Sequence, residues 1–407
     1  MQKPELLSPS GNLEKLKIAF LYGADAVYIG GEEFSMRTAC DNFTSDEMQR
    51  GIEYAHRLGK KVYVAANVVI KNNETDKLAK FAEDIYSYGA DAVIISDLGA
   101  LDIFRKSAPE LNLHISTQAN TNNYTAASMW YSLGAKRVVL ARELTGSEIK
   151  KIRSETPSNL ELECFVHGAM CVSYSGRCLL SSYMTGRDAN KGNCAQSCRW
   201  NYYLMEEKRP GEYMQVVEND SGSFFFNSKD LCLIEYIPEL IDSGVTSFKI
   251  EGRVKNEYYV ATVTKAYREE IDRYCDNPQG YIFDKTKLEE LCKVSHRHYS
   301  HGFWNGAPKN YGQIYESSSY IRTHDIAGIV QSCDTDGNAV VSQRNKFSVA
   351  DRLEIMRPLG DFITMTAGEM RDKNDNIIQS AAHAQMTVKL KLPVAVPTGS
   401  ILRKEKA

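Results

Sequence analysis

Five of the chain's ten cysteines lie between Glu163 and Arg199. Glu163-Cys-Phe-Val-His-Gly-Ala-Met-Cys171 is followed after six residues by Cys178, after fifteen more by Cys194 and after three more by Cys198. Cys232 comes 33 residues later, in Asn227-Ser-Lys-Asp-Leu-Cys232. Gly176, Gly186, Gly192 and the polar stretch Thr185–Asn193 disfavour a core helix, so these cysteines are expected on loops. Loop cysteines in a reducing cell are thiols, and several converging on one point suit a soft metal. Structural zinc draws its ligands in close pairs, and only Cys194 and Cys198 have that spacing. The long intervals fit neither zinc ribbons nor simple ferredoxin runs, but a cluster with ligands on separate loops tolerates them. Iron–sulfur therefore stands ahead of zinc, with inert thiols as the third reading. Cys40, Cys164, Cys275, Cys292 and Cys333 read as small hydrophobes.

His167, at the entrance of this segment, is a candidate for proton transfer or an ordinary structural histidine. Arg142, Arg177 and Arg253 suit an anionic substrate, because guanidinium holds carboxylates and phosphates bidentately. The bland alternative is salt bridging to Glu143 and Glu251. His296, His298 and His301 lack a carboxylate at helical spacing and read as a loop that packs or caps. Hydrolytic signatures of the His-Glu-x-x-His and Gly-x-Ser-x-Gly kinds are missing.

These side chains need a frame. The 407 residues are 43% apolar and 25% charged, with net charge −3, which is ordinary for a soluble globular protein and does not advertise nucleic acid. Local basic clusters, such as Arg403, Lys404 and Lys406, read as solvated faces. No membrane span and no signal peptide are evident, so a cytoplasmic protein without a disulfide framework is expected.

A quasi-repeat supplies the frame. Tyr22-Gly-Ala-Asp-Ala-Val-Tyr-Ile-Gly30 is echoed by Tyr88-Gly-Ala-Asp-Ala-Val-Ile-Ile-Ser96, and more weakly at Leu58–Ala65, Leu133–Ala141 and Ser243–Glu251. Each echo has a glycine where an amphipathic helix ends and then a β-branched run, the pattern of a strand buried on both faces. Strands are expected at Glu5–Ser8, Ala26–Gly30, Lys61–Ala65, Ala92–Ser96, Leu113–Thr117, Arg137–Ala141, Leu162–Val166 and Ser247–Glu251. With helices between them, the fold class is α/β, a TIM-like (β/α)8 barrel over residues 1–275. A doubly wound open sheet is the competitor, but no Gly-x-Gly-x-x-Gly follows the first strand. Chemistry then belongs at the carboxyl ends of the strands, among Ser116-Thr-Gln-Ala-Asn120, Arg142, His167, Glu251 and Arg253. The cysteine-bearing insertion, 167–232, follows strand seven over the same mouth. Residues 276–319 connect to a small antiparallel β-barrel domain, 320–407, with runs such as Ile326–Val330, Arg352–Met356 and Ala384–Leu392.

The segment Glu163–Cys171 with Gly176, Cys178, Leu180 and Ser181 resembles the signature of the collagenase-like peptidase family U32. Leu7-Ser-Pro-Ser-Gly-Asn, Asn227-Ser-Lys-Asp-Leu and Lys249-Ile-Glu-Gly-Arg253 are similar to that family too, and the likeness spans essentially the whole chain. The length looks most like the two-domain branch that makes 5-hydroxyuridine at the tRNA wobble position, with prephenate as cosubstrate. Relatives hydroxylate ribosomal RNA or a quinone precursor, and peptidase activity is the alternative that the family name carries. The resemblance implies a 4Fe–4S cluster on Cys171, Cys178, Cys194 and Cys232, with Cys198 or Cys40 as substitutes. It implies tRNA and a small anionic cosubstrate as partners, no membrane, and allows a second family member as partner. With a dicarboxylate as cosubstrate, Arg142 and Arg253, at the ends of strands six and eight on either side of His167, are expected to clamp the acid and leave His167 to move a proton, with Glu251 beside them.

Overall fold

The computed structural model describes all residues except 1–2, 37–41, 172, 201–202, 205–213, 216–227, 309–319 and 407. Seven parallel strands lie side by side in chain order: β1 (Glu5–Pro9), β2 (Ala26–Gly30), β3 (Lys61–Ala65), β4 (Ala92–Ile95), β5 (Asn112–Ile115), β6 (Ala135–Val139) and β7 (Glu161–Gly168). The eighth, Ser247–Ile250, pairs in parallel with both β7 and β1 and closes the barrel. Every expected strand is present.

The repeat explains how this comes about. Helices start on side-chain caps, with capping boxes at Thr44/Glu47 and Thr145/Glu148 and single caps at Asn12, Asp97 and Asn123. They stop at the repeated glycines, whose φ runs from +66° at Gly59 to +105° at Gly23. The repeated aspartate has a separate task. Asp25 Oδ2 accepts the Leu6 N–H at 3.0 Å and Asp91 Oδ2 accepts the Val62 N–H at 2.8 Å, so each carboxylate pins the start of the preceding strand. In the last echo the Thr246 hydroxyl accepts the Leu162 N–H at 3.1 Å and does the same.

Outside the sheet the strands and helices share one large apolar core. Inside, only part of the barrel is apolar, around Leu7, Tyr28, Tyr63 and Ile94. The rest is charge. Arg137 on β6 reaches Glu5 at 2.6 Å, Glu161 at 2.6 Å and Glu163 at 2.9 Å, and Lys249 on the closing strand reaches the other oxygen of Glu163 at 2.8 Å. Ser247 donates to Glu5 at 3.0 Å and Tyr63 donates to it at 2.6 Å. Burial, and then the charges of Arg137 and Lys249, hold the neighbouring His114 well below the usual histidine range.

After β7 the chain leaves the barrel and returns in the strand Asp230–Cys232. That strand runs antiparallel to the upper end of β7, with Cys232 opposite His167, and parallel to Tyr299–Ser300. Helix Glu257–Asp276 then packs on β1 and against helix Leu13–Leu21. The C-terminal part is an antiparallel half-barrel of eight strands. Its strand Ile401–Glu405, which the sequence reading did not anticipate, lies between His324–Cys333 and Arg352–Met356. The half-barrel seats on the barrel's helices: Tyr22 donates to the carbonyls of Met356 and Gly399, and Lys265 donates to those of Arg357 and Gly360. Among the described residues no helix is long and apolar enough to cross a membrane.

Arg137→Leu should lose about 3–5 kcal/mol of stability, because it leaves the Glu163 and Glu5 carboxylates without their shared cation. Glu161→Gln should cost about 1 kcal/mol or less, since that carboxylate is partly solvated. Denaturant midpoints of the two variants against the parent check both.

Candidate active site

Three strand ends bring polar side chains to the barrel mouth. After β5 a tight turn, Thr117–Ala119, ends with Asn120 in the left-handed region at φ +54°. Ser116 Oγ donates to Gln118 Oε1 at 3.2 Å, and Asn120 Nδ2 donates to the Gln118 carbonyl at 3.0 Å. The turn is therefore locked, yet Gln118 Nε2, Asn120 Oδ1 and Thr121 Oγ1 are buried without a protein partner. Gly176 of the cysteine loop lies directly over this turn. A Cβ there would come within 2.7 Å of Gln118 Nε2, so only glycine permits the approach.

Arg142, just beyond β6, ties the same loop down. Its guanidinium donates to Ser175 Oγ at 2.7 and 3.1 Å and to the Ala169 carbonyl at 2.8 Å, and lies 5.5 Å from the Phe165 ring. Those bonds replace the expected alternative of a salt bridge to Glu143. Burial raises the Glu143 pKa, with the Arg142 charge opposing. Arg253 is buried on the other side of the mouth, donating to Ser35 Oγ at 2.5 Å and crossing over Gly30. Glu251 is half-buried, and its carbonyl accepts from the Tyr259 hydroxyl at 2.8 Å.

His167 corrects the expectation of a histidine between two guanidiniums. The pairing of β7 with the closing strand shifts between Lys249/Phe165 and Ile250/His167, an irregularity that places Val166 as an extra residue. Lys249 faces the interior and Ile250 the outer core, so the shift turns His167 outward as well. There its ring is enclosed by tyrosines, with Nδ1 3.4 Å from the Tyr267 hydroxyl and Nε2 3.4 Å from that of Tyr299. Burial pushes its pKa down to about 3. Such a ring is neutral and structural, and it does not face the mouth.

The cysteines divide into two groups. Cys171 and Cys194 are exposed and Cys178 is half-buried, all as free thiols on the loop. Cys178 Sγ accepts the Leu180 N–H and Cys194 Sγ accepts the Gln196 N–H, each at 3.4 Å, which orients both sulfurs. Ser181 staples their two stretches together, accepting from Ala195 N at 2.9 Å and donating to the Arg187 carbonyl at 2.8 Å. These thiols fit a soft metal. Cys232 instead lies buried in its strand, 3.9 Å from the Tyr267 hydroxyl, with its thiol pushed up to about 12 by burial. Among the described residues no three His, Cys, Asp or Glu side chains converge as metal ligands would. Cys198 is half-buried in the turn Ser197–Arg199, and Cys40 lies outside the described residues. His296 stacks on Tyr299 and His301 bonds the Tyr236 hydroxyl, as a packing loop would, whereas His298 is exposed.

A sequence profile of peptidase family U32 matches residues 11–313, and that of the family's C-terminal domain matches residues 322–403. The chain belongs to peptidase family U32. It is 40% identical to tRNA hydroxylation protein P1 of Bacillus subtilis over 406 residues, covering 100% of this chain and 96% of that one. It is 45% identical to an uncharacterized protease of Methanocaldococcus jannaschii over 335 residues, 80% of each chain. It is 38% identical to the 23S rRNA 5-hydroxycytidine C2501 synthase of Escherichia coli over 268 residues, 66% of this chain and 39% of that one.

Within this U32 protein, sequence reasoning marked the Ser116–Asn120 strand end as polar but not the role of Gly176 above it. A glycine two residues before Cys178 carries no signal of what it covers. The tyrosine cage was missed altogether, because Tyr259, Tyr267 and Tyr299 read as ordinary core residues.

A histidine held neutral in the fold stabilises it fully above its unfolded pKa near 6.5, and that contribution is lost as pH falls toward 3. Stability should therefore decline below pH 6.5 with a slope that His167 contributes to by up to about 1.4 kcal/mol per pH unit. His167→Gln should show a shallower acid limb in denaturant titrations from pH 7 to 4. The activity of the parent should show no titration attributable to this ring above pH 5.

Proposed function

We propose that this protein is an RNA hydroxylase that converts the wobble uridine of tRNA to 5-hydroxyuridine. The likeness to a protein named for tRNA hydroxylation runs the length of both chains and supports the RNA class. The observation that carries the reading is the trio of unpartnered polar groups at the mouth, Gln118 Nε2, Asn120 Oδ1 and Thr121 Oγ1. Buried polar groups left unpaired are costly, and a site that tolerates them is built to pair them with a ligand. One amide donor beside one amide acceptor complements the edge of a uracil, which offers carbonyl oxygens and an N–H.

Replacing the hydrogen at C5 by hydroxyl is a two-electron oxidation, so an oxygen donor must take part. Prephenate fills that role in this reading, giving up one oxygen atom to C5 and being itself reduced by two electrons. Its two carboxylates require fixed cations, and Arg142 and Arg253 are the buried or half-buried guanidiniums at the mouth. Cys171, Cys178 and Cys194 would hold a 4Fe–4S cluster on the covering loop, with Cys232 as the fourth ligand. Bound there, the cluster would supply redox chemistry or a Lewis-acidic iron beside the substrate. The chain's own part is to orient the base at Gln118 and Asn120, fix the acid at Arg142, and exclude water beneath Gly176.

Deleting the gene should remove 5-hydroxyuridine derivatives from bulk tRNA by mass spectrometry, and the parent gene should restore them. Arg142→Ala should restore about a tenth or less, since a charge-assisted hydrogen bond contributes about 1.5–3 kcal/mol. Unchanged tRNA in the deletion strain sinks the reading. In anaerobically purified protein, Cys171→Ser, Cys178→Ser, Cys194→Ser and Cys232→Ser should each lose iron, acid-labile sulfide and visible absorption, while Cys198→Ser keeps them. Stoichiometric zinc without iron overturns the cluster assignment.

A further inference from the structure

The insertion between β7 and the closing strand carries more than thiols. Tyr174, Leu179, Tyr183, Met184 and Trp200 are all exposed on it, Tyr183 to 82%. Leu179 precedes and Tyr183 and Met184 project from the short helix Leu180–Thr185, which packs against the turn Ser197–Arg199 that leads into Trp200. Arg177 N donates to the Tyr174 carbonyl at 3.1 Å, forming a turn just before that helix.

The charge of the insertion is uneven: residues 206–232 hold six acidic and three basic residues, and the stretch before them has a cationic excess. Residues 164–205 contain four cationic residues, Arg177, Arg187, Lys191 and Arg199, against one acidic residue, Asp188, in a protein of net charge −3. Asp188 is occupied locally, accepting the Asn190 N–H at 2.8 Å. Lys191 is paired with Glu74. Arg177 and Arg187 are exposed and make no ion pair among the described residues. Exposed aromatic rings interleaved with free guanidiniums suit a single strand of nucleic acid, where each base has a face to stack and each phosphate a charge to meet.

The surface is also fixed beside the mouth. Ser175 is held by Arg142, Gly176 rests on Gln118, and Asn190 accepts from Val69 N at 3.4 Å at the loop after β3. We propose that this face of the insertion docks the unpaired loop of an RNA. Its bases stack on Tyr183, Tyr174 and Trp200, and its phosphates meet Arg177 and Arg187, so that a neighbouring nucleotide is delivered to the mouth. The inference rests on the RNA reading above and adds to it the docking surface and the mode of binding.

The test is fluorescence anisotropy of the full-length protein, purified anaerobically, with a labelled anticodon stem-loop RNA and a blunt duplex of the same stem over a salt series. The stem-loop should bind more tightly than the duplex. Tyr183→Ala should weaken it about tenfold without changing the salt slope. Arg177→Ala/Arg187→Ala should flatten the slope of log K against log salt by about 1.4, the value for two single-strand phosphate contacts. Both variants change exposed side chains, and thermal melts matching the parent confirm the fold. Parent-like affinity and slope in both variants, with tRNA hydroxylation intact in cells, would overturn the docking surface and leave the function standing. Loss of self-association in Tyr183→Ala without loss of RNA affinity would overturn it in favour of an interface between copies. Parental tRNA modification in a strain lacking the gene instead strikes the function reading, whatever the binding shows.

Discussion

The barrel depends on a buried cation shared between carboxylates, one of which, Glu163, water cannot reach. Parallel barrels usually fill their interiors with branched apolar side chains. Here Arg137, Glu163 and Lys249 are each at least 95% buried in the sector where the barrel must close. Buried ion pairs of this kind add little net stability, because desolvation offsets most of the attraction. What they add is discrimination between registers. The closing strand arrives only after a long insertion, and a one-residue slip would turn Lys249 out and Phe248 in. Glu163 would then face Arg137 alone, with Ser247 displaced as well. The penalty for an unpaired buried charge thus selects one closure among several that would bury similar apolar area.

The same logic joins the half-barrel to the barrel. Arg403 is fully buried and reaches Glu290 at 2.6 Å and Glu354 at 2.7 Å, with the Tyr258 hydroxyl at 3.2 Å and the Phe362 ring beneath it at 4.3 Å. One carboxylate comes from the connecting segment and the other from the half-barrel. The guanidinium therefore fixes three stretches of chain relative to each other, while Tyr22 and Lys265 cap neighbouring carbonyls across the seam.

How much of this was legible in the sequence follows from what each signal reports. The glycine-terminated helices and β-branched runs announce strands one by one, because φ > 0 and burial on both faces are local demands. Barrel closure was legible as a count of eight. Arg137 and Glu163 were not legible as interior residues, since an apolar run on a two-sided strand does not say which face its few charges take. Arg403 read as part of a solvated basic cluster for a related reason: its counter-charges, Glu290 and Glu354, are 113 and 49 residues away. His167 failed differently. Period-two alternation from Phe165, whose ring meets Lys249 at 5.4 Å inside, would aim it inward, and the irregularity at Val166 reverses that. A bulge is set by the pairing of two strands, which one strand's sequence does not contain.

At the mouth the contrast between two kinds of arginine carries the chemistry. Arg137 and Arg403 are neutralised by carboxylates, so their charge is spent on the fold. Arg142 is oriented by a hydroxyl and a carbonyl, which fix the plane of the guanidinium while leaving its net charge in place. Three of its nitrogens are engaged through three of five N–H groups, and the two remaining can still form a fork toward an anion. A cation held by neutral dipoles in a half-buried site is prepared for a ligand in a way that a salt-bridged one is not, because no carboxylate must be displaced first. The bonds that orient Arg142 also anchor the cysteine loop, through Ser175 and Ala169, one residue from Gly176. Closing the loop over Gln118 and aiming the guanidinium are consequently one structural event, and whatever pulls the loop away must release Arg142 and uncover the Gln118 turn together.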